Sequence, residues 1–185
     1  MLLFLQDINR YLPAPDHGFL VAADRAWTYR KLIELDAEIQ NVDKVSGGQI
    51  RIADHLKNRT KCVVMSNKPI KVYIDHRGGS HVFELDFRYR HVNLCAACAP
   101  ERYEIPRVLM PGTSRSAFVD HLVSGDVTMA QFASGEHAEL GDFCGAPFDY
   151  TVKKTSSSVR CVLVRNGSLT QADKSLPLTM EKVFG

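Results

Sequence analysis

The chain has 185 residues, of which 45% are hydrophobic and 24% are charged. This usage is typical of a folded protein and excludes an intrinsically disordered chain, a collagen-like repeat and a long coiled coil. We expect a single domain over residues 1–185, of mixed α/β (α+β) class. It should combine three to four helices with an antiparallel or mixed sheet, and residues 168–185 should form a loosely ordered tail.

The five cysteines are an odd number at uneven spacings, at positions 62, 95, 98, 144 and 161. A secreted disulfide framework would favour an even set, so we expect reduced thiols. The first ten residues have no basic lead-in and too short an apolar run for a signal peptide or a membrane span. We therefore expect a soluble, intracellular protein without membrane contact, in the cytoplasm, or in the host cytoplasm for a viral protein.

The first half of the chain predicts helices followed by strands. Leu2–Leu12 reads as an amphipathic helix that Pro13 stops, 18–22 as a strand, and Thr28–Val42 as a helix capped by Thr28. From Lys61 the spacing of apolar residues changes from that of a helix to that of an extended strand. It predicts strands at Cys62–Met65, Ile70–Ile74 and His81–Leu94, with a hairpin loop at Asp75–Ser80.

In the strand predicted at 81–94, apolar and charged residues alternate regularly. Apolar Phe83, Leu85, Phe87 and Tyr89 alternate with charged side chains at 84, 86, 88 and 90. Successive side chains of a strand point to opposite faces, so the pattern predicts an apolar face on the core and a charged face in solvent.

The second half predicts shorter elements. A strand is expected at Tyr103–Met110, a helix from Thr113 or Ser114 to Val123, and a second short helix at Val127–Ala133. A glycine-rich loop follows, and Ser158–Val164 reads as a strand.

The middle of the chain is basic. Residues 51–115 hold twelve Lys or Arg against six Asp or Glu, whereas both flanking segments are acidic. Such a stretch could form a surface for nucleic acid, another polyanion or an acidic protein partner. The alternative interpretation is a solvated surface of mixed charge, since the basic runs are short and interrupted. The first hypothesis is therefore a non-catalytic accessory domain that binds a macromolecule. The candidate phosphate contacts are Lys57, Arg59, Lys61, Lys68, Lys71, Arg77, Arg88 and Arg90.

A possible structural zinc site lies at the end of the basic segment. Cys95 and Cys98 are three positions apart and His91 is nearby, which is half of a tetrahedral thiolate site. His137, Cys144 or Cys161 would have to complete it. The His137-Ala-Glu139 motif, with Cys95 and Cys98, also supplies the residue types of zinc deaminases, but in the reverse order; the alternative interpretation is a polar loop.

Two enzyme hypotheses stand beside the binding hypothesis. Asp75, Glu84 and Asp86 flank the hairpin loop and could hold Mg²⁺. This set resembles restriction-endonuclease-like folds, with Asp86 where a Lys is usual, and implies a metal-dependent nuclease. The alternative interpretation is a charged face in solvent.

The second enzyme hypothesis rests on Gly141-Asp-Phe-Cys144-Gly-Ala-Pro-Phe148. This segment resembles the nucleophile loop of chymotrypsin-like cysteine proteases of positive-strand RNA viruses. The resemblance implies Cys144 as nucleophile, with His55 and Asp86 spaced to serve as base and orienter. Phe143 is an insertion relative to that family, and Leu163 occupies the position of its substrate-binding His.

Overall fold

The structure is a computed structural model that describes residues 22–42, 47–54, 61–97, 116–171 and 174–185. Within these ranges the chain forms eight strands, one long helix and two short helices. The helices are α1 (Ala22–Val42), α2 (Leu94–Ala97) and α3 (Met129–Ser134). The strands are β1 (Gln49–Ala53), β2 (Cys62–Ser66), β3 (Ile70–Asp75), β4 (His81–Phe87), β5 (Val92–Asn93), β6 (Asp149–Lys154), β7 (Val159–Gln171) and β8 (Lys174–Phe184).

The strands form two antiparallel sheets. The first has the order β1-β2-β3-β4-β5 and the second the order β6-β7-β8, so each strand pairs with its neighbour along the chain. Val63 lies opposite Ile74 in the first sheet, and Leu163 lies opposite Lys182 in the second. Residues 75–80 form the predicted hairpin loop between β3 and β4.

One buried cluster joins the two sheets. It contains Val63, Ile74 and Val82 from the first sheet and Cys161 and Leu163 from the second, all fully buried. The apolar run that predicted β2 therefore faces a second sheet. Burial of these side chains is the main contribution to the stability of the pairing between the sheets.

The predicted α+β class with three to four helices is wrong, since strands dominate the described residues and they form two antiparallel sheets. The helix predicted up to Val123 is also wrong over 116–123, which has an extended course. Ala117 forms an antiparallel bridge with Val82, so its backbone groups are not available for helical hydrogen bonds. The apolar residues that suggested a helical face instead contact strands distant in sequence.

The charged face predicted for β4 does not point to solvent. Leu85 packs on the main core as predicted, but Glu84 and Asp86 on the opposite face are buried beside Asp36 of α1. The alternation within one strand cannot show that a helix covers its second face. The pairing also shifts between Tyr73 and Ile74, so that Phe83 is an extra residue and leaves the face on which Leu85 lies.

Several predictions concern the ends of elements. The helix predicted at Thr28–Val42 is confirmed and begins earlier, at Ala22. The last residues, predicted as a loosely ordered tail, form β8 and pair with β7. Two predicted elements lie outside the described residues, the helix at 2–12 and the strand at 103–110. The strand predicted at 18–22 also lies outside them, except for Ala22, which begins α1. No helix in the described part of the chain is long and apolar enough to span a membrane.

Candidate functional site

One irregular segment of the described chain is held by backbone hydrogen bonds at both ends: residues 116–124, which we call the anchored loop. Its first fixed point is the bridge to β4, in which Ala117 N donates to Val82 O at 2.8 Å and Val82 N donates to Ala117 O at 2.9 Å. At its other end, Leu140 N donates to Leu122 O at 2.7 Å. The loop is therefore held by backbone pairing at both ends, which fixes the side chains between them.

Lys182 of β8 holds the centre of the anchored loop. Its side chain is only 9% exposed, and Nζ donates to the carbonyls of Gly79 at 2.9 Å, Ser80 at 2.8 Å and Phe118 at 2.8 Å. It also forms an ion pair with Asp120. One buried ammonium thus connects the second sheet, the hairpin loop of the first sheet and the anchored loop.

Phe118 is the residue that this anchoring presents to solvent. It is 60% exposed and has φ of 60°, a left-handed backbone conformation that a bulky side chain adopts only where its surroundings enforce it. Its ring contacts Phe184 edge to face, with 5.9 Å between centroids. A rigidly held and exposed aromatic ring is a suitable surface for binding a ligand.

A second group of side chains lies beside the anchored loop. The ligand atoms of His121, His137 and Glu139 all lie within 4.8 Å of one another, and no other described residues form such a group. His121 Nδ1 and Glu139 Oε1 are 2.5 Å apart, and Leu122 N donates to Glu139 Oε2 at 3.0 Å. His137 Nε2 lies 3.6 Å from Glu139 Oε1. We call these three side chains the histidine cluster.

The predicted protease site is not assembled. Cys144 is buried, and its pKa is raised by burial and by the Glu139 carboxylate, while Lys182 opposes the shift. A buried thiol with a raised pKa is a poor nucleophile at neutral pH. Asp86 lies instead beneath α1, and His55 is outside the described residues.

The loop around Cys144 serves packing. Phe143, the insertion relative to the protease family, is 1% exposed and lies in the core with Phe148. A Cβ at Gly167 would come within 2.8 Å of the Phe143 ring, so the glycine makes room for it. Hydrogen bonds from Phe148 N to His76 O and from Gly79 N to Ala146 O attach the loop to the hairpin.

The predicted nuclease carboxylates are divided between two places. Asp75 binds Arg77 through hydrogen bonds of 3.0 and 2.8 Å; burial raises its pKa, but these bonds outweigh burial and lower it overall. Glu84 and Asp86 lie with the buried cations Lys71 and Arg88. A magnesium site needs oxygen ligands that meet around one ion, which this arrangement does not provide.

Lys71, Arg88 and Asp86 belong to a buried charged cluster below α1. Lys71 Nζ is 2.6 Å and Arg88 Nη2 is 3.2 Å from the two carboxylate oxygens of Asp36. Arg88 also donates to Gln40. The three carboxylates of the cluster, which include Glu84, outnumber its two cations. Burial and the Glu84 charge raise the pKa of Asp86 to about 9, against the attraction of Lys71.

The predicted nucleic-acid contacts do not form one surface. Lys71 and Arg88 are buried and paired with Asp36, and Arg77 is paired with Asp75. Phosphate contacts require cations that are free at the surface. The exposed members of the set among the described residues are Lys61, Lys68 and Arg90; Lys57 and Arg59 lie outside the described residues.

The predicted zinc ligands have different neighbours. His91 Nδ1 lies 3.6 Å from Glu34 of α1, whereas the buried Cys95 thiol points to the Val82 carbonyl at 3.8 Å. Cys98 lies outside the described residues. The structure therefore gives no support to zinc at His91, Cys95 and Cys98.

Two comparisons with known proteins find similarity. Residues 110–184 match the protein-family model described as alpha-amylase/4-alpha-glucanotransferase, C-terminal. The match includes the anchored loop, the histidine cluster and Lys182. The fold is also similar to that of a crystal structure of 4-alpha-glucanotransferase from Thermococcus litoralis, with a TM-score of 0.62 and 19% sequence identity over 88% of this chain. The chain spans 25% of the length of that protein. No curated protein shows significant sequence similarity.

These comparisons overturn the functional hypotheses drawn from sequence. Both comparisons find similarity to carbohydrate-active enzymes, and the predictions of a nucleic-acid-binding domain, a viral cysteine protease and a metal-dependent nuclease are wrong. Sequence reasoning also missed Phe118 and Lys182. No local pattern marks Lys182, which is one of two lysines in the supposed tail, because its partners are more than 60 residues away in sequence.

Proposed function

We propose that this chain is a non-catalytic domain of an α-glucan-acting enzyme of the amylase or 4-α-glucanotransferase type, in which it contacts the glucan. The observation that carries the proposal is the family match over residues 110–184. The similarity of fold to the Thermococcus litoralis enzyme supports it over most of the chain. Because the chain spans a quarter of that enzyme, the reaction itself is assigned to other parts of a longer protein.

The carboxylates near the anchored loop support a non-catalytic role. Glycoside chemistry uses two carboxyl groups on either side of the scissile bond, roughly 5 to 10 Å apart. Among the described residues, Asp120 is paired with Lys182 and Glu139 with His121. Glu84 and Asp86 are buried below α1. These groups are occupied by structural contacts, which leaves them unsuited to act as an acid and a nucleophile.

Phe118 is the side chain that we assign to the glucan. The C–H groups on the faces of a glucose ring carry partial positive charge and pack on the negative face of an aromatic ring. The anchored loop fixes the backbone of Phe118 before a ligand arrives, so little conformational entropy is lost on binding. Its location within the family match, on the same loop as His121, distinguishes it from the other exposed aromatic residues.

Affinity electrophoresis in gels containing glycogen or amylose tests the proposal. We expect the wild-type chain to be retarded by the glucan and the Phe118→Ala variant to lose at least half of that retardation. Tyr89→Ala is the matched control, since Tyr89 is 65% exposed and lies outside the family match; it should migrate like the wild type. Unretarded wild-type protein, or equal losses in both variants, would contradict the assignment to Phe118.

The non-catalytic role has its own measurement. The chain is incubated with maltoheptaose, and the products are separated by chromatography. We expect the substrate to remain unchanged, whereas shorter and longer oligosaccharides would show that the chain itself catalyses hydrolysis or transfer.

A further inference from the structure

The histidine cluster has an unusual feature at its centre. The side chain of His137 is 5% exposed, and neither Nδ1 nor Nε2 has a hydrogen-bond partner. Its ring stacks on Phe132, with 4.9 Å between centroids and 19° between planes. Leaving a buried imidazole without polar partners is unfavourable, so a buried histidine normally has at least one. The structure thus places a nitrogen ligand where it has no hydrogen-bond partner.

The neighbouring groups supply complementary ligands. His137 Nε2 lies 3.6 Å from Glu139 Oε1, and His121 Nδ1 lies 2.5 Å from the same oxygen. In tetrahedral coordination with bonds of about 2.0 to 2.1 Å, ligand atoms are about 3.3 Å apart. The His137–Glu139 pair is already close to this distance. The His121–Glu139 pair has to open by less than about 1 Å, as an ion replaces the proton that the two groups share.

The surroundings hold this ligand set in place. Glu139 Oε2 accepts a hydrogen bond from Leu122 N, which fixes the orientation of the carboxylate while Oε1 faces the imidazoles. The hydrogen bond from Leu140 N to Leu122 O joins the segments that carry His121 and Glu139. Backbone partners of this kind orient metal ligands in known sites.

We propose that His121, His137 and Glu139 bind a divalent transition-metal ion. Two imidazole nitrogens and one carboxylate oxygen are a donor set that favours such ions over Mg²⁺ or Ca²⁺, which prefer oxygen alone. The fourth position is left to water or to a ligand. The site is separate from the cysteine-based site predicted from sequence, and it does not depend on the proposed role in glucan binding.

Co²⁺ is the probe for this site, because its visible absorption reports coordination number and ligand type. The full 185-residue chain is freed of metal with a chelator and titrated with Co²⁺. We expect saturation at one equivalent, with absorption bands of a four- or five-coordinate nitrogen and oxygen site. The intense near-ultraviolet charge transfer of a cobalt thiolate would assign the ion to cysteines and overturn the proposal, as would the absence of saturable binding.

His137→Phe is the decisive variant. Phenylalanine preserves stacking on Phe132 and removes an imidazole without polar partners, so the variant should remain folded. We expect it to bind Co²⁺ at least tenfold more weakly, and Glu139→Gln to show a similar loss. His81→Phe, an imidazole replaced on the β3–β4 hairpin, is the matched control and should retain wild-type affinity.

Thermal unfolding gives a second readout of the same site. A ligand that binds only the folded state raises the free energy of unfolding by RT ln(1 + [L]/Kd), where [L] is the concentration of free ligand. Excess Co²⁺ should therefore raise the Tm of the wild type and of His81→Phe, but not that of His137→Phe. Equal Co²⁺ affinity and equal Tm shifts in His137→Phe and the wild type would overturn the proposal.

Discussion

The ammonium group of Lys182 donates a hydrogen bond of 2.8 Å to the backbone carbonyl of Phe118. These residues are 64 positions apart, and the bond connects the last strand to the exposed centre of the anchored loop. The same ammonium satisfies two carbonyls of the hairpin loop in the first sheet. The position of the proposed glucan contact therefore depends on one buried cation.

Replacing Lys182 by Met should strongly destabilise the protein. The substitution leaves three carbonyls without this donor, two of them in the buried residues Gly79 and Ser80. Each unsatisfied buried group costs about 1 to 3 kcal/mol, so the free energy of unfolding should fall by about 3 kcal/mol. Urea denaturation followed by circular dichroism measures the change. Lys174→Met is the control, because Lys174 is an exposed lysine on the same strand, and its effect should be below about 0.5 kcal/mol. Equal stabilities for the two variants would contradict the role of Lys182.

Gly79 provides a test of how tightly the hairpin packs on the Cys144 loop. Gly79 and Gly47 both have φ of +76°, but a Cβ at Gly79 would lie 1.8 Å from the Cys144 carbonyl oxygen, whereas one at Gly47 meets nothing within 4 Å. Gly47→Ala should therefore show only the backbone effect, about 1 to 2 kcal/mol. Gly79→Ala adds a clash with backbone and should be destabilised by several kcal/mol more.

Comparison of the two variants isolates the steric contribution, since the φ angles of the two glycines match. Denaturant midpoints are measured for both variants and the wild type under the same conditions. A Gly79→Ala protein as stable as Gly47→Ala would show that the hairpin and the Cys144 loop are not in contact.

Local patterns predicted much of the first sheet. The helix over 28–42 and the strands beginning at Cys62 and Ile70 follow from apolar periodicity, which depends on neighbouring residues. The predicted cap at Thr28 is wrong, because α1 begins at Ala22 and Thr28 lies inside it. The burial of the charged face of β4 could not be predicted, because the helix that covers Glu84 and Asp86 is distant in sequence. Even so, Glu84 and Asp86 were singled out as a pair, and they lie together in the charged cluster.

The site depends on contacts that are distant in sequence. Phe143 was treated as an insertion that weakens a protease resemblance, yet it is a core residue whose space is left by Gly167. His137 and Glu139 were recognised as a possible motif, but their partner His121 lay in a segment that was assigned to a helix. An apolar helical period at 116–123 conceals a loop whose backbone bonds go to β4 and β8.

The cysteines should react slowly with alkylating agents in the folded protein. Cys62, Cys95, Cys144 and Cys161 are all buried, and burial raises the pKa of Cys161 to about 11. Reaction requires an accessible thiolate, so iodoacetamide at pH 7 should modify these four thiols only as the protein unfolds. Mass spectrometry of peptides after timed labelling, with and without urea, measures each rate. Rapid modification of Cys144 in the absence of urea would show that its loop opens in the native state.

The protonation of Asp86 should make stability fall as pH rises. Its pKa is about 9 in the folded protein, through burial and the charge of Glu84, and roughly 3.9 when the chain unfolds. Between these values the folded state holds a proton that the unfolded state releases. The stabilisation is therefore complete below about pH 4 and is lost progressively towards pH 9.

Asp86→Asn tests this dependence, because an amide resembles the protonated carboxyl group but does not titrate. Denaturant midpoints are measured between pH 5 and 9. We expect the variant to lack the downward slope that Asp86 contributes, and so to exceed the wild type in stability by more at pH 8 than at pH 5. Asp149→Asn, at an exposed position on β6, should keep the wild-type slope. If Asp86→Asn were instead less stable than the wild type at pH 8 with the slope unchanged, Asp86 would be ionised in the folded protein. The attraction of Lys71 would then outweigh burial, and a different carboxylate of the charged cluster would have to hold the proton.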